Sequence, residues 1–83
     1  MANEGGGARV LKRSLSISGH RTSVSLEDAF WRRLQAIAAA RGLSVSALAA
    51  EIDAARGEAN LSSAIRVHVL EAVARGASPS GPQ

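Results

Sequence analysis

A mainly α-helical domain carrying one short β-ribbon is what the sequence predicts, on three observations. Residues 13–26 are serine-rich with apolar side chains at alternate positions, and residues 28–56 carry apolar residues at helical spacing in two blocks. Residues 61–73 then read as a helix that is apolar on nearly every side.

The ribbon comes first. Leu15 and Ile17 stand at odd positions and Val24 and Leu26 at even ones, so one flat strand would put the two pairs on opposite faces. A two-residue turn at Gly19-His20 removes the conflict by pairing Ile17 with Thr22 and Leu15 with Val24. The alternative is a single strand over Arg21 to Leu26 preceded by a flexible arm. Both readings remain open at this level.

Three helices follow. Ser25 is the expected N-cap of the first, with Asp28 three residues later in capping-box spacing and Glu27 and Asp28 placing negative charge at the positive helix end. Phe30, Leu34, Ile37 and Ala38 form its apolar stripe, with Trp31 on the margin. Gly42 is positioned as a left-handed cap, with Leu43 as the apolar residue that follows it. Ser44 caps a second helix repeating Val45, Leu48, Ala49 and Ile52, and Gly57 stops it. Asn60 caps the third, built on Leu61, Ala64, Ile65, Val67, Val69, Leu70, Ala72 and Val73. A helix of that composition is buried on most sides. In a chain of 83 residues without cysteine, a second copy is the natural cover.

These elements form one domain over residues 12–75, flanked by a flexible basic arm (1–11) and a Pro/Gly/Ser-rich disordered tail (76–83). The longest apolar run, Ala36 to Ala40, is five residues, too short to span a bilayer, and the N-terminus has no apolar segment of the secretory kind. With no cysteine to form disulfides, a cytoplasmic protein is expected. The net charge of +3 is unevenly spread: residues 1–26 hold Arg9, Lys12, Arg13 and Arg21 against Glu4, whereas six arginines and six acids balance in residues 27–83. A local basic excess attracts a polyanion through long-range electrostatics and counterion release.

No nucleophile, base and orienting group assemble, so no enzyme is expected. Glu51 and Asp53 are two residues apart on a helix and point in different directions. His20 reads as a turn residue and His68 as part of a dimer interface, with no metal spacing around either and no cofactor implied. Trp31 beside Phe30 reads as core rather than as a stacking platform for bases.

The succession of a serine-rich strand, a capped amphipathic helix and a later helix opened by Asn60-Leu61-Ser62-Ser63-Ala64-Ile65-Arg66 resembles the ribbon-helix-helix (Arc/MetJ-like) family. The likeness is closest to a bacterial subgroup, through Lys12-Arg13-Ser14, Gly19 to Glu27, Phe30-Trp31, Glu51 to Arg56 and Asn60 to Arg66, and it covers residues 12 to about 73. The resemblance implies an intertwined homodimer that regulates transcription by inserting an antiparallel β-ribbon into the major groove of double-stranded DNA. By position, Arg21, Ser23 and Ser25 would face base edges. Lys12, Arg13 and the Leu61-Ser62 start of the last helix would contact phosphates, and Val24, Leu26, Ile65 and Val69 would form the dimer core. The sequence departs from the usual two-helix unit by the extra helix over Ser44 to Arg56, and a hairpin would widen the sheet beyond a two-stranded ribbon. The alternative is a protein–protein interaction module, or an antitoxin-type partner, that reads no DNA. For the latter, residues 76–83 offer no apolar anchor.

Overall fold

The computed structural model describes residues 6–77. A 3₁₀ turn at Gly6–Ala8 leads into strands β1 (Val10–Ile17) and β2 (His20–Glu27), followed by helices α1 (Asp28–Ala40), α2 (Val45–Ala55) and α3 (Leu61–Ala77). The helices pack on one face of the antiparallel sheet, with α2 against β1, and α1 and α3 against β2.

The hairpin is therefore realised, but its turn is Ser18-Gly19 rather than Gly19-His20. Ile17 opposes His20, Leu15 opposes Thr22 and Arg13 opposes Val24. Ser18 and Gly19 both have positive φ, 53° and 82°, as a type I′ turn requires to match the twist of the strands it joins. The two-residue change of register leaves each side chain on its expected face. It also sets Leu11 opposite Leu26, where the expected pairing would have put Arg13. His20 is thus the first residue of β2 and not a turn residue.

The expected arm is also shorter than residues 1–11. Val10 and Leu11 belong to β1, and the Gly6–Ala8 turn packs on α1. At the other end α3 runs through Ala77, so the tail does not begin at Gly76. The rest of the expected arm and tail, residues 1–5 and 78–83, lies outside the described residues.

Ser25 does not cap α1. The strand continues through Glu27, which takes the N-cap position without a side-chain hydrogen bond. The Asp28 amide instead donates to the Arg9 carbonyl at 2.8 Å, so the start of β1 satisfies a donor that a cap would have taken. The remaining caps form as expected. At the end of α1, Gly42 (φ +70°) donates to Ala39 and Leu43 to the Ala38 carbonyl at 2.8 Å, the paired bonds of a Schellman motif. The Ser44 hydroxyl accepts from the Ala47 amide at 3.0 Å, and Asn60 Oδ1 accepts from the Ser63 amide at 2.9 Å.

The core joins Leu15 and Ile17 of β1, Val24 and Leu26 of β2, Leu34 and Ala38 of α1, Leu48, Ala49 and Ile52 of α2, and Ile65 and Val69 of α3. Phe30, Trp31 and Ile37 pack at its margin. Val24, Leu26, Ile65 and Val69, expected in a dimer core, are thus buried inside one chain. The apolar side chains that α3 leaves in solvent are instead Val67, Leu70 and Val73, at 53%, 65% and 38% exposure.

Candidate nucleic-acid interface

Alternation along the hairpin sorts its side chains into two faces. The inner face carries the apolar residues. The outer face carries Val10, Lys12, Ser14 and Ser16 from β1 and Arg21, Ser23, Ser25 and Glu27 from β2, all exposed except the half-buried Glu27 at the helix-side end. Cross-strand pairs are Lys12 with Ser25, Ser14 with Ser23 and Ser16 with Arg21. No acidic residue occurs from Lys12 to Ser25, so the part of the face between the Lys12–Ser25 pair and the turn is a field of hydroxyls with a cation towards each end.

The expected base-contact residues Arg21, Ser23 and Ser25 therefore share one face, and Lys12 joins them. Arg13 does not. It alternates to the inner side, half-buried, with Nη2 at 3.3 Å from Asp28 Oδ1 and its guanidinium carbon 4.8 Å from the Trp31 ring centroid. Its Nε is buried without a hydrogen-bond partner. This arginine holds the sheet to the start of α1 by charge and by stacking on an aromatic face, and the expectation that it contacts phosphate is corrected on that ground. Asp28 also binds Arg32 one turn along the helix, at 2.9 Å.

Leu61 and Ser62 sit half-buried at the start of α3. Asn60 takes up the Ser63 amide, and the Ala64 amide bonds to the Asn60 carbonyl. This leaves the Leu61 and Ser62 amides as the two first-turn donors directed along the helix axis.

Sequence reasoning missed Ser14, Ser16 and Arg66. The serines alternate with Leu15 and were legible as outer-face residues once the hairpin is granted. Arg66 had no local signal, because its partners are about forty positions away: Nε lies 2.8 Å from Glu27 Oε1, and Nη2 makes a long 3.5 Å bond to the Ser25 carbonyl. That hydrogen bond to Glu27 is the main reason its carboxyl is held below its ordinary pKa of 4.5. A backbone hydrogen bond and the charge of Arg66 add to the effect, and partial desolvation opposes it. In a hairpin closed by two residues, hydrogen-bonded pairs alternate from the closing pair Ile17–His20. The main-chain groups of Arg21, Ser23 and Ser25 therefore point away from β1 to the open edge of β2. Arg66 stands at one end of that edge.

The acids on α2 are occupied. Glu51 receives both terminal nitrogens of Arg41, at 2.9 and 3.1 Å, and Asp53 binds Arg56 at 2.6 Å. Among the described residues no three His, Asp or Glu side chains stand together as a metal group. No helix among them is long and apolar enough to cross a membrane.

A hairpin whose second strand runs directly into a helix, with a later helix opened by Asn60 beside that strand, is matched by the family model described as ribbon-helix-helix domain over residues 10–73. The chain belongs to the ribbon-helix-helix domain family. It is similar in structure to an uncharacterized protein from Bordetella pertussis Tohama I. The TM-score is 0.80 at 35% sequence identity, covering 98% of this chain and 69% of that one. No curated protein matches the chain. Within the ribbon-helix-helix frame β2 is the strand that enters the first family helix, α1, and α3 is the second. The match runs from the start of β1 into α3, so both strands and all three helices lie within it.

Proposed function

We propose that this ribbon-helix-helix protein is a DNA-binding transcriptional regulator. It acts as a homodimer and meets the duplex with the outer face of its sheet. The observation that carries the reading is the uncovered stretch of Lys12, Ser14, Ser16, Arg21, Ser23 and Ser25, which holds part of the excess positive charge and whose one acidic neighbour on the strand, Glu27, is bound by Arg66.

The extra strand is compatible with groove entry once the dimensions are considered. If two copies pair along the open β2 edges, Arg21 opposes Ser25 of the partner subunit and Ser23 falls on the two-fold axis. Strands about 4.8 Å apart place each β2 about 2.4 Å from that axis and each β1 about 7 Å from it. The major groove is about 12 Å wide, or roughly 6 Å on either side of its midline. The central strands therefore fit between the walls, and the β1 strands lie over them, turned further aside by the twist between neighbouring strands. Arg21, Ser23 and Ser25 then face base edges, and Lys12 lies over the phosphate ridge. The Leu61 and Ser62 amides at the start of α3 supply a further phosphate contact. Serines accept from or donate to several bases, so discrimination rests on Arg21, whose guanidinium reads guanine with two hydrogen bonds.

The test is a fluorescence-anisotropy titration of labelled duplexes at low and at physiological salt, followed by mapping of crosslinked genomic sites. Salt-sensitive duplex binding with enrichment at a common sequence is expected. No binding at low salt would refute the proposal and leave a protein-interaction module as the reading.

A further inference from the structure

We infer that the groove between α2 and α3 binds a small amphipathic cation, a protonated amine carried on an apolar body. The site stands apart from the DNA reading, because no residue of the sheet lines the groove.

The groove follows from the way α3 is packed. Ala64, Val67, His68 and Glu71 stand at i, i+3, i+4 and i+7, so they share one side of the helix. Arg66 leaves the other side for Glu27 of β2. On the first side α2 brings up Ile52 and Ala55, and the two helices leave between them a cleft of about 330 Å³. That volume falls at the lower end of the range for small-molecule sites, about 300–1,000 Å³.

Its floor is apolar and partly wet. Ile52, Ala55, Ala64 and Val67 line it, and Val67 is left 53% exposed. An apolar body seated here removes that surface from water, which supplies affinity without direction.

Charge supplies the direction. Arg56 is the one arginine or lysine of the lining, and it is already engaged. Its Nε donates to Asp53 Oδ1 and its Nη1 to the Ala59 carbonyl, both at 2.6 Å. Its charge is thus compensated, and it closes the loop at the end of the groove where α3 begins. Glu71 stands towards the other end, about 10 Å along the helix from Ala64 at the usual rise per residue. Among the described residues no cation lies within salt-bridge distance of Glu71, and Arg75, one turn on, does not line the groove. One uncompensated negative charge therefore stands beside an apolar floor. An anionic ligand is repelled there and a neutral one gains only the floor, whereas a protonated amine on an apolar body gains both.

Nitrogen-15 correlation spectra of the full chain, titrated with three ligands of similar body at about pH 8, where imidazole is uncharged, test the site without DNA. The ligands are the cation 2-phenylethylamine, the neutral 2-phenylethanol and the anion 3-phenylpropionate. The amine is expected to shift the amides of residues 55–59 and 64–71 saturably, in roughly the millimolar range for a body of so few atoms. At low salt its affinity should exceed that of the alcohol by about two- to fivefold, the scale of an exposed ion pair, and the propionate should bind more weakly than either. Glu71→Gln should keep the shifts and abolish the preference for amine over alcohol. Ala55→Leu, at an exposed position on the floor, should fill the groove and remove binding of all three while the spectrum stays that of a folded chain. No saturable shift with the amine, shifts centred outside the groove, or equal affinities of amine and alcohol in wild type would overturn the inference, as would a preference that survives Glu71→Gln.

Discussion

Removing the Lys12 ammonium tests the proposed placement of β1 over the phosphate ridge. Lys12 is exposed on the outer face, opposite Ser25, and a dimer presents it twice. Each phosphate contact contributes about 0.9 to the slope of log affinity against log salt on B-form DNA, so Lys12→Ala should flatten that slope by about 1.8. Over a fourfold rise in salt, wild type should lose about twelve times more affinity than the variant. Sequence preference should not change, since phosphate contacts carry no base information. Arg21→Ala, on the same face but in the central strand, should instead cost about 1–3 kcal/mol per contact at the preferred sequence and relax one base position in each half-site. Arg13→Ala is the internal control. Its guanidinium is held by Asp28 and Trp31, so it should lower thermal stability by an amount on the order of 1 kcal/mol and leave the salt slope as it is. Anisotropy titrations of the three variants at several salt concentrations decide the matter. An unchanged slope for Lys12→Ala, or a changed slope for Arg13→Ala, would refute the assignment of faces.

Three further outcomes are expected. Asn60→Ala removes the 2.9 Å cap on the Ser63 amide and should cost about 1 kcal/mol in denaturant unfolding, while weakening all duplexes alike. Preserved stability would contradict the cap's role. Ile65→Asp places an unpaired carboxylate at a position with no solvent exposure and should cost several kcal/mol, so the far-UV signal of the helices should collapse at room temperature. The Glu27 carboxyl, depressed chiefly by its hydrogen bond from Arg66, stabilises the fold fully above its unfolded-state pKa, and that contribution is lost as pH falls through the lower folded value. Carbon-13 chemical shifts should therefore give Glu27 a midpoint below 4.5, and Arg66→Met should return it towards the ordinary value. An unmoved midpoint would mean that the Arg66–Glu27 contact is not formed in solution.

Local chemistry explains which features were legible in the sequence. The caps at Gly42, Ser44 and Asn60 each depend on bonds between residues at most five positions apart, and all three form where the sequence places them. Ser25 failed as a cap for a non-local reason. Pairing of Val10 with Glu27 extends β2 past Ser25, and the Arg9 carbonyl then takes the Asp28 amide. Neither event leaves a mark near Ser25. The faces of the hairpin were legible although its register was not, because a slip of two residues conserves sidedness and is invisible to an alternating pattern. Arg13 shows the cost of reading charge by position alone. Placed between Lys12 and Ser14 it looks like part of a basic surface, yet the same alternation that sends Leu15 inward sends Arg13 inward with it.

Arg13 and Arg66 together tie the first strand and the last helix to one junction. Both arginines bind acids at the junction of β2 and α1, Arg13 reaching Asp28 from β1 and Arg66 reaching Glu27 from α3. The junction is thus clamped from β1 on one side and from α3 on the other. The side chains of both pairs are about one-third exposed. They tie β1 and α3 to the junction from which the sheet carrying Lys12, Arg21 and the four serines leaves the helical layer. Charge spent inside the fold in this way is unavailable to a polyanion. The exposed cations that alternation leaves on the sheet's outer face are therefore the ones on which the DNA reading stands or falls.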